Sequence, residues 1–129
     1  MKYILEPRKD GLFQLKSTRW VGGLKPGTTG GAVSGPHNLS QYGDSWIYID
    51  AKVIDGAFVS EDAHVSGFSV ISGNAKIFGK ARVAGAPKIS GNVKVSGSAR
   101  VSNHTQLSGD VHLKGNDHEW NNFGPYKVL

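Results

Sequence analysis

Six basic side chains stand in a stretch without a single acid. Between Glu61/Asp62 and Asp110 the chain carries Lys76, Lys80, Arg82, Lys88, Lys94 and Arg100, and no Asp or Glu. The whole chain of 129 residues has a net charge of +5, so the excess is concentrated in this segment. Cations of one sign on a rigid scaffold attract anions: phosphates, carboxylates, or the acidic face of another protein. A plainer reading is a solvated face that stops a β protein from pairing with copies of itself. Five histidines, His37, His64, His104, His112 and His118, are the only side chains that titrate near neutrality. Cysteine is absent, which excludes disulfides and thiolate chemistry. The glycines and lysine of "GGLKPGTTGG" lack the Gly-Lys-Ser/Thr ending of a phosphate loop.

The elements that must hold these residues are short. From Ser45 to Asn116 the chain divides without insertion into twelve hexapeptides, among them AKIFGK, ARVAGA, PKISGN and VKVSGS. Position one is small, position three aliphatic, and positions two and four mostly polar. That alternation is a strand signal. Positions five and six are mainly Gly, Asn, Asp and Ser, which accept positive φ or close a turn. Each hexapeptide therefore reads as one short strand and one corner. A fixed short period predicts a solenoid, whose units bury their apolar faces only by stacking on one another. A helix is excluded, because an interior Gly at each repeat would cost about 1 kcal/mol apiece.

These repeats resemble the hexapeptide-repeat superfamily, and their V/I-S-G-N-A-K/R dialect resembles the YdcK-like proteins common in bacterial and prophage genomes. The approach segment resembles theirs too, at Gly30-Gly31, Asn38-Leu39-Ser40, Gly43-Asp44 and Trp46-Ile47-Tyr48. The resemblance implies an all-β fold: a left-handed parallel β-helix of about four triangular coils, with three strands and roughly 18 residues per coil. It also implies a homotrimer. Residues 1–44 are then expected to form a non-repeat N-terminal cap, 45–116 the β-helix, and 117–129 an aromatic C-terminal cap or tail.

A coil of that length turns sequence distance into vertical neighbours about 4.8 Å apart. Three outward columns follow. One reads Trp46, His64, Arg82, Arg100, His118. A second reads Phe58, Lys76, Lys94, His112. The third reads Lys52, Val70, Lys88, Gln106. The first column, joined by Lys76 and Lys94, is the expected ligand or partner site. Stacked like charges repel, and an anion would compensate them; the Arg fork suits phosphate or carboxylate, and Trp46 could stack on a base. Phe58, Phe78 and Trp120 are the expected interface residues. Asn74, Asn92 and Asp110 align at corners and should stabilise turns.

Enzymes of the superfamily that transfer acyl groups use a His as general base. No His here has a visible orienting partner, and His104, at a corner, is the nearest to a candidate. The expectation is no catalytic residue, no metal site and no cofactor. The start "MKYILEPRKDG" does not read as a signal peptide, no apolar run is long enough to span a membrane, and the expected location is cytoplasmic. The reading that results is a binding or adaptor protein engaging an acidic protein surface, a nucleotide or a nucleic acid. The prophage resemblance suggests a phage accessory factor that counteracts host defence. An acyltransferase and a virion or tail-fibre module are the alternatives.

Overall fold

The computed structural model describes residues 1–114. Strands β1 (Tyr3–Pro7), β2 (Phe13–Ser17) and β3 (Thr29–Val33) come first, followed by a 3-10 turn at Pro36–Asn38. Twelve two-residue strands follow, from Trp46–Ile47 to His112–Leu113, each at positions two and three of a hexapeptide. They stack in parallel on three sheets with an 18-residue register. Two sheets have four strands. The third has seven, because β1, β2 and β3 extend it past its first repeat strand. The chain is an all-β parallel β-helix. Among the described residues no helix is long and apolar enough to cross a membrane.

The aliphatic residues at position three form the core. Val53, Ile71, Ile89 and Leu107 stack from one sheet; Ile47, Val65, Val83 and Val101 from the second; Val59, Ile77, Val95 and Leu113 from the third; all are buried. Small residues at position one, such as Ala63, Ala81 and Ala99, are also buried, so the backbone can turn inward beside them. Burying each aliphatic side chain contributes on the order of 1.5–3 kcal/mol.

Coils are more numerous than the repeat count predicts, about five against four. The parallel winding begins before Ser45. Val33 of β3 pairs with Val53, Leu39 bridges to Val59, and Ile47 pairs with Val65. In the sequence, GAVSGP and HNLSQY are two further hexapeptides with Val33 and Leu39 at position three. Gly43 and Asp44 then interrupt the count, so the first two pairings span 20 residues rather than 18.

Specific polar bonds replace the missing regularity of this first coil. Asn38 is buried; its Oδ1 accepts from Ser34 N (2.8 Å) and Gly35 N (3.0 Å), and its Nδ2 donates to Ala57 O (2.7 Å). The chain start clasps the same coil. Tyr3 Oη donates to Pro36 O (3.0 Å), and Lys2 Nζ donates to Ser45 O (3.0 Å) and Ser45 Oγ (3.1 Å). Burial, with Arg19 nearby, pulls Lys2 down to about 8.

Corners carry the tightest constraint. Position five has positive φ at Gly67, Gly73, Gly79, Gly85, Gly91, Gly97 and Gly109. A Cβ on Gly91 would stand 2.6 Å from Gly109 N. At two of the corners where a side chain has positive φ, it bonds the next coil: Asp55 Oδ2 accepts from Gly73 N (3.0 Å), and Glu61 Oε1 from Gly79 N (2.9 Å). Of the expected turn-stabilising ladder, Asn92 Nδ2 donates to Asp110 Oδ1 at 3.1 Å.

Gly91→Val combines a left-handed backbone with a clash against main chain, and should cost about 2 kcal/mol or more. Gly23→Val, at a position with open space and no positive φ, should be near neutral. Urea denaturation of the two variants checks this; equal stabilities would contradict the corner packing.

Candidate functional site

Three walls enclose a cleft of about 730 Å³ beside the first outward column. His64, Arg82 and Arg100 form one wall, in parallel register on successive coils. Their outward direction follows from the burial of the next residue in each strand: Val65, Val83 and Val101 are inside. Asp44, Asp62, Lys80 and Ser98 form the second wall, also 18 residues apart, at the corners that lead into the same strands. Backbone bonds hold this corner ladder in place, from Asp62 N to Gly79 O (2.9 Å) and from Lys80 N to Gly97 O (2.8 Å). The third wall is the Val21–Leu24 turn, whose end residues exchange backbone hydrogen bonds at 2.9 Å. Gly22 N donates to Asp44 Oδ1 (3.3 Å) and ties this turn to the corner ladder.

Arg82, Arg100 and Lys80 are exposed, and neither guanidinium has a hydrogen bond or ion pair with a described residue. The column therefore presents two adjacent positive charges, neither of them in an ion pair with a described residue. His64 differs from them. It is half-buried, and its Nδ1 lies 3.2 Å from Tyr48 Oη, with the two rings 5.8 Å apart. Burial, reinforced by Arg82, pushes the His64 pKa below 6.5. Burial also raises the Tyr48 phenol, against a smaller opposing effect of Arg82. At neutral pH His64 is thus an uncharged imidazole, and the positive charge of the cleft belongs to Lys80, Arg82 and Arg100.

Trp46 occupies its expected register opposite His64 but not its expected role. The indole is fully buried. It fills the space left by Gly30, where a Cβ would lie 2.7 Å from Trp46 Cζ2, and Leu15 packs close to the same point. The cap has covered it, so it offers no stacking surface to a ligand. His118 and Trp120 lie outside the described residues.

Lys76 and Lys94 stack together as expected, but on another sheet, with Phe58 above and His112 below. They do not join the cleft. Phe58 is half-buried, and Phe78 lies 6.3 Å from the His112 ring. His104 is exposed at its corner, away from the cleft lining. Among the described residues no group of three or more His, Cys, Asp or Glu could hold a metal ion.

The structure adds Tyr48, Asp44, Asp62 and the Val21–Leu24 turn to the cleft, and brings Lys80 of the basic stretch into it. The corner ladder is the sixth-position alignment one hexapeptide behind the column, parallel to that of Asn74, Asn92 and Asp110. Nothing periodic points to the turn, which comes from the cap. No protein-family model matches the chain, and the search of curated proteins finds no match.

His64 should titrate below 6.5 when its ring resonances are followed by NMR. Because its folded pKa is depressed, the unfolded chain takes up that proton first; His64 therefore contributes a loss of stability as pH falls below about 6.5. In Arg82→Ala the titration should move upward but stay depressed, since burial remains. An unchanged titration would contradict the proximity of the two groups.

Proposed function

We propose that the protein is a non-catalytic binding protein whose basic β-helix face holds an anionic ligand in this cleft. The observation that carries the reading is the pair Arg82 and Arg100, in direct register and without a hydrogen bond or ion pair to any described residue. Two guanidiniums at strand spacing repel each other, and a bridging phosphate or carboxylate group relieves the repulsion. Each presents a planar donor fork that a phosphate can accept from two sides. Lys80 adds a third cation at the level of Arg82. The cleft volume of about 730 Å³ suits a nucleotide-sized molecule. The prophage resemblance extends this reading to an accessory factor that sequesters a nucleotide or an acidic host surface during host defence.

A second reading draws on His64. A neutral imidazole positioned by Tyr48 has the elements of a general base, and the cleft gives it room for substrate. Acyl transfer is the reaction class in which such a base would act.

Calorimetric titration with ATP at two salt concentrations tests the primary reading. Binding should weaken as salt rises and fall at least tenfold in Arg82→Ala/Arg100→Ala, with the melting temperature nearly unchanged. Undiminished binding in that variant would remove the cleft from consideration. Acetyl-CoA turnover abolished by His64→Gln would favour the second reading instead.

A further inference from the structure

The cleft is electrically two-ended. Its corner ladder changes sign along the helix axis, from Asp44 and Asp62 on the upper coils to Lys80 below, while the strand column runs from neutral His64 to Arg82 and Arg100. Adjacent coils are about 4.8 Å apart, so the backbones that carry the carboxylate pair and the guanidinium pair are centred about 10 Å apart along the axis. Each carboxylate is anchored through one oxygen. Asp44 Oδ1 accepts from Gly22 N and Asp62 Oδ1 from Asp44 N, both at 3.3 Å. The Oδ2 atoms take no hydrogen bond from a described residue, and neither carboxylate is paired with Lys80 or Arg82. Lys2, behind this end of the cleft, bonds the carbonyls of Tyr42, Gly43 and Ser45, and both carboxylates act on its charge without forming an ion pair with it. Within the cleft the carboxylates face Lys80, Arg82 and Arg100, and no ion pair joins them.

Resting on the anion-binding reading above, we infer that the cleft selects an amine-bearing anion: a ligand with a phosphate or carboxylate at one end and a protonated amine about 10 Å away. The anion lies on Arg82 and Arg100, and the amine donates to the free oxygens of Asp44 and Asp62. Tyr48 and His64 also line the cleft, with their rings in contact. A ligand bearing only anionic groups would meet repulsion at the upper end. The cleft therefore discriminates in favour of one orientation as well as one charge pattern.

Calorimetry with three probes of matched length tests this: 6-aminohexyl phosphate, hexyl phosphate and 6-acetamidohexyl phosphate. The amine should bind about fivefold tighter than either neutral-ended probe, the upper range for one exposed ion pair. In Asp44→Asn/Asp62→Asn the three affinities should converge while hexyl phosphate binding is kept. Equal affinities in the wild-type protein, with binding still lost in Arg82→Ala/Arg100→Ala, would overturn the inference and leave the anion site standing. Failure of all three probes to bind would overturn both. The wild-type comparison decides the matter even if the aspartate variant does not fold.

Discussion

Each coil hangs from the next by backbone hydrogen bonds. Lys52 N donates to Ser69 O (2.9 Å), Ile54 N to Ile71 O (2.9 Å) and Gly56 N to Gly73 O (2.9 Å), and the same three-bond pattern recurs around the helix. This ladder satisfies the main chain without long strands. It also sets the vertical distance between side chains, and so decides what can stand beside what. The corners permit it because seven of the described position-five residues are glycines with positive φ, leaving room for the coil beneath. Each strand is only two residues long, so stability lies in the stack and not in any one element.

The cleft is a by-product of where this regularity stops. Within the repeats, the outward column of Lys88 and Gln106 lines a smaller hollow of about 410 Å³. The larger cleft gains its third wall from the cap. The two residues that interrupt the hexapeptide count, Gly43 and Asp44, bring a carboxylate to the top of the corner ladder, and Asp44 in turn receives Gly22 N from the Val21–Leu24 turn. The cap's other contribution is to bury Trp46 against Gly30 and Leu15. One segment thus closes the end of the apolar stack and raises a wall over the basic column.

Much of the architecture was legible because a strict period leaves few alternatives. The alternation at positions one to four placed every inward aliphatic from Ile47 to Leu113 correctly, and counting by 18 placed His64, Arg82 and Arg100 in one line. What the count could not see was anything that breaks it. Val33 and Leu39 obey the repeat but are cut off from it by two inserted residues, so an unbroken count does not reach their coil. Trp46 obeys the outward position yet is buried, because burial there depends on Gly30, sixteen residues away in sequence and close only after folding. Tyr48 is hidden for a similar reason: its role comes from its contact with His64 on the next coil. Periodicity reports the repeat's own geometry and is silent about the segment that packs on it.

Everything assigned to the cleft depends on residues 18 apart being vertical neighbours. The chain has no cysteine, so pairs of spin labels can be introduced cleanly. Lys88 and Gln106 are exposed and directly paired, whereas Lys76 and Lys88 are exposed on different sheets. Continuous-wave EPR of the doubly labelled Lys88→Cys/Gln106→Cys protein should show strong dipolar broadening, as expected for labels on strands about 4.8 Å apart. The Lys76→Cys/Lys88→Cys protein, whose labels are twelve residues apart, should show none. Broadening in the second protein and not in the first would contradict the coil, and the paired arginines would no longer share a wall.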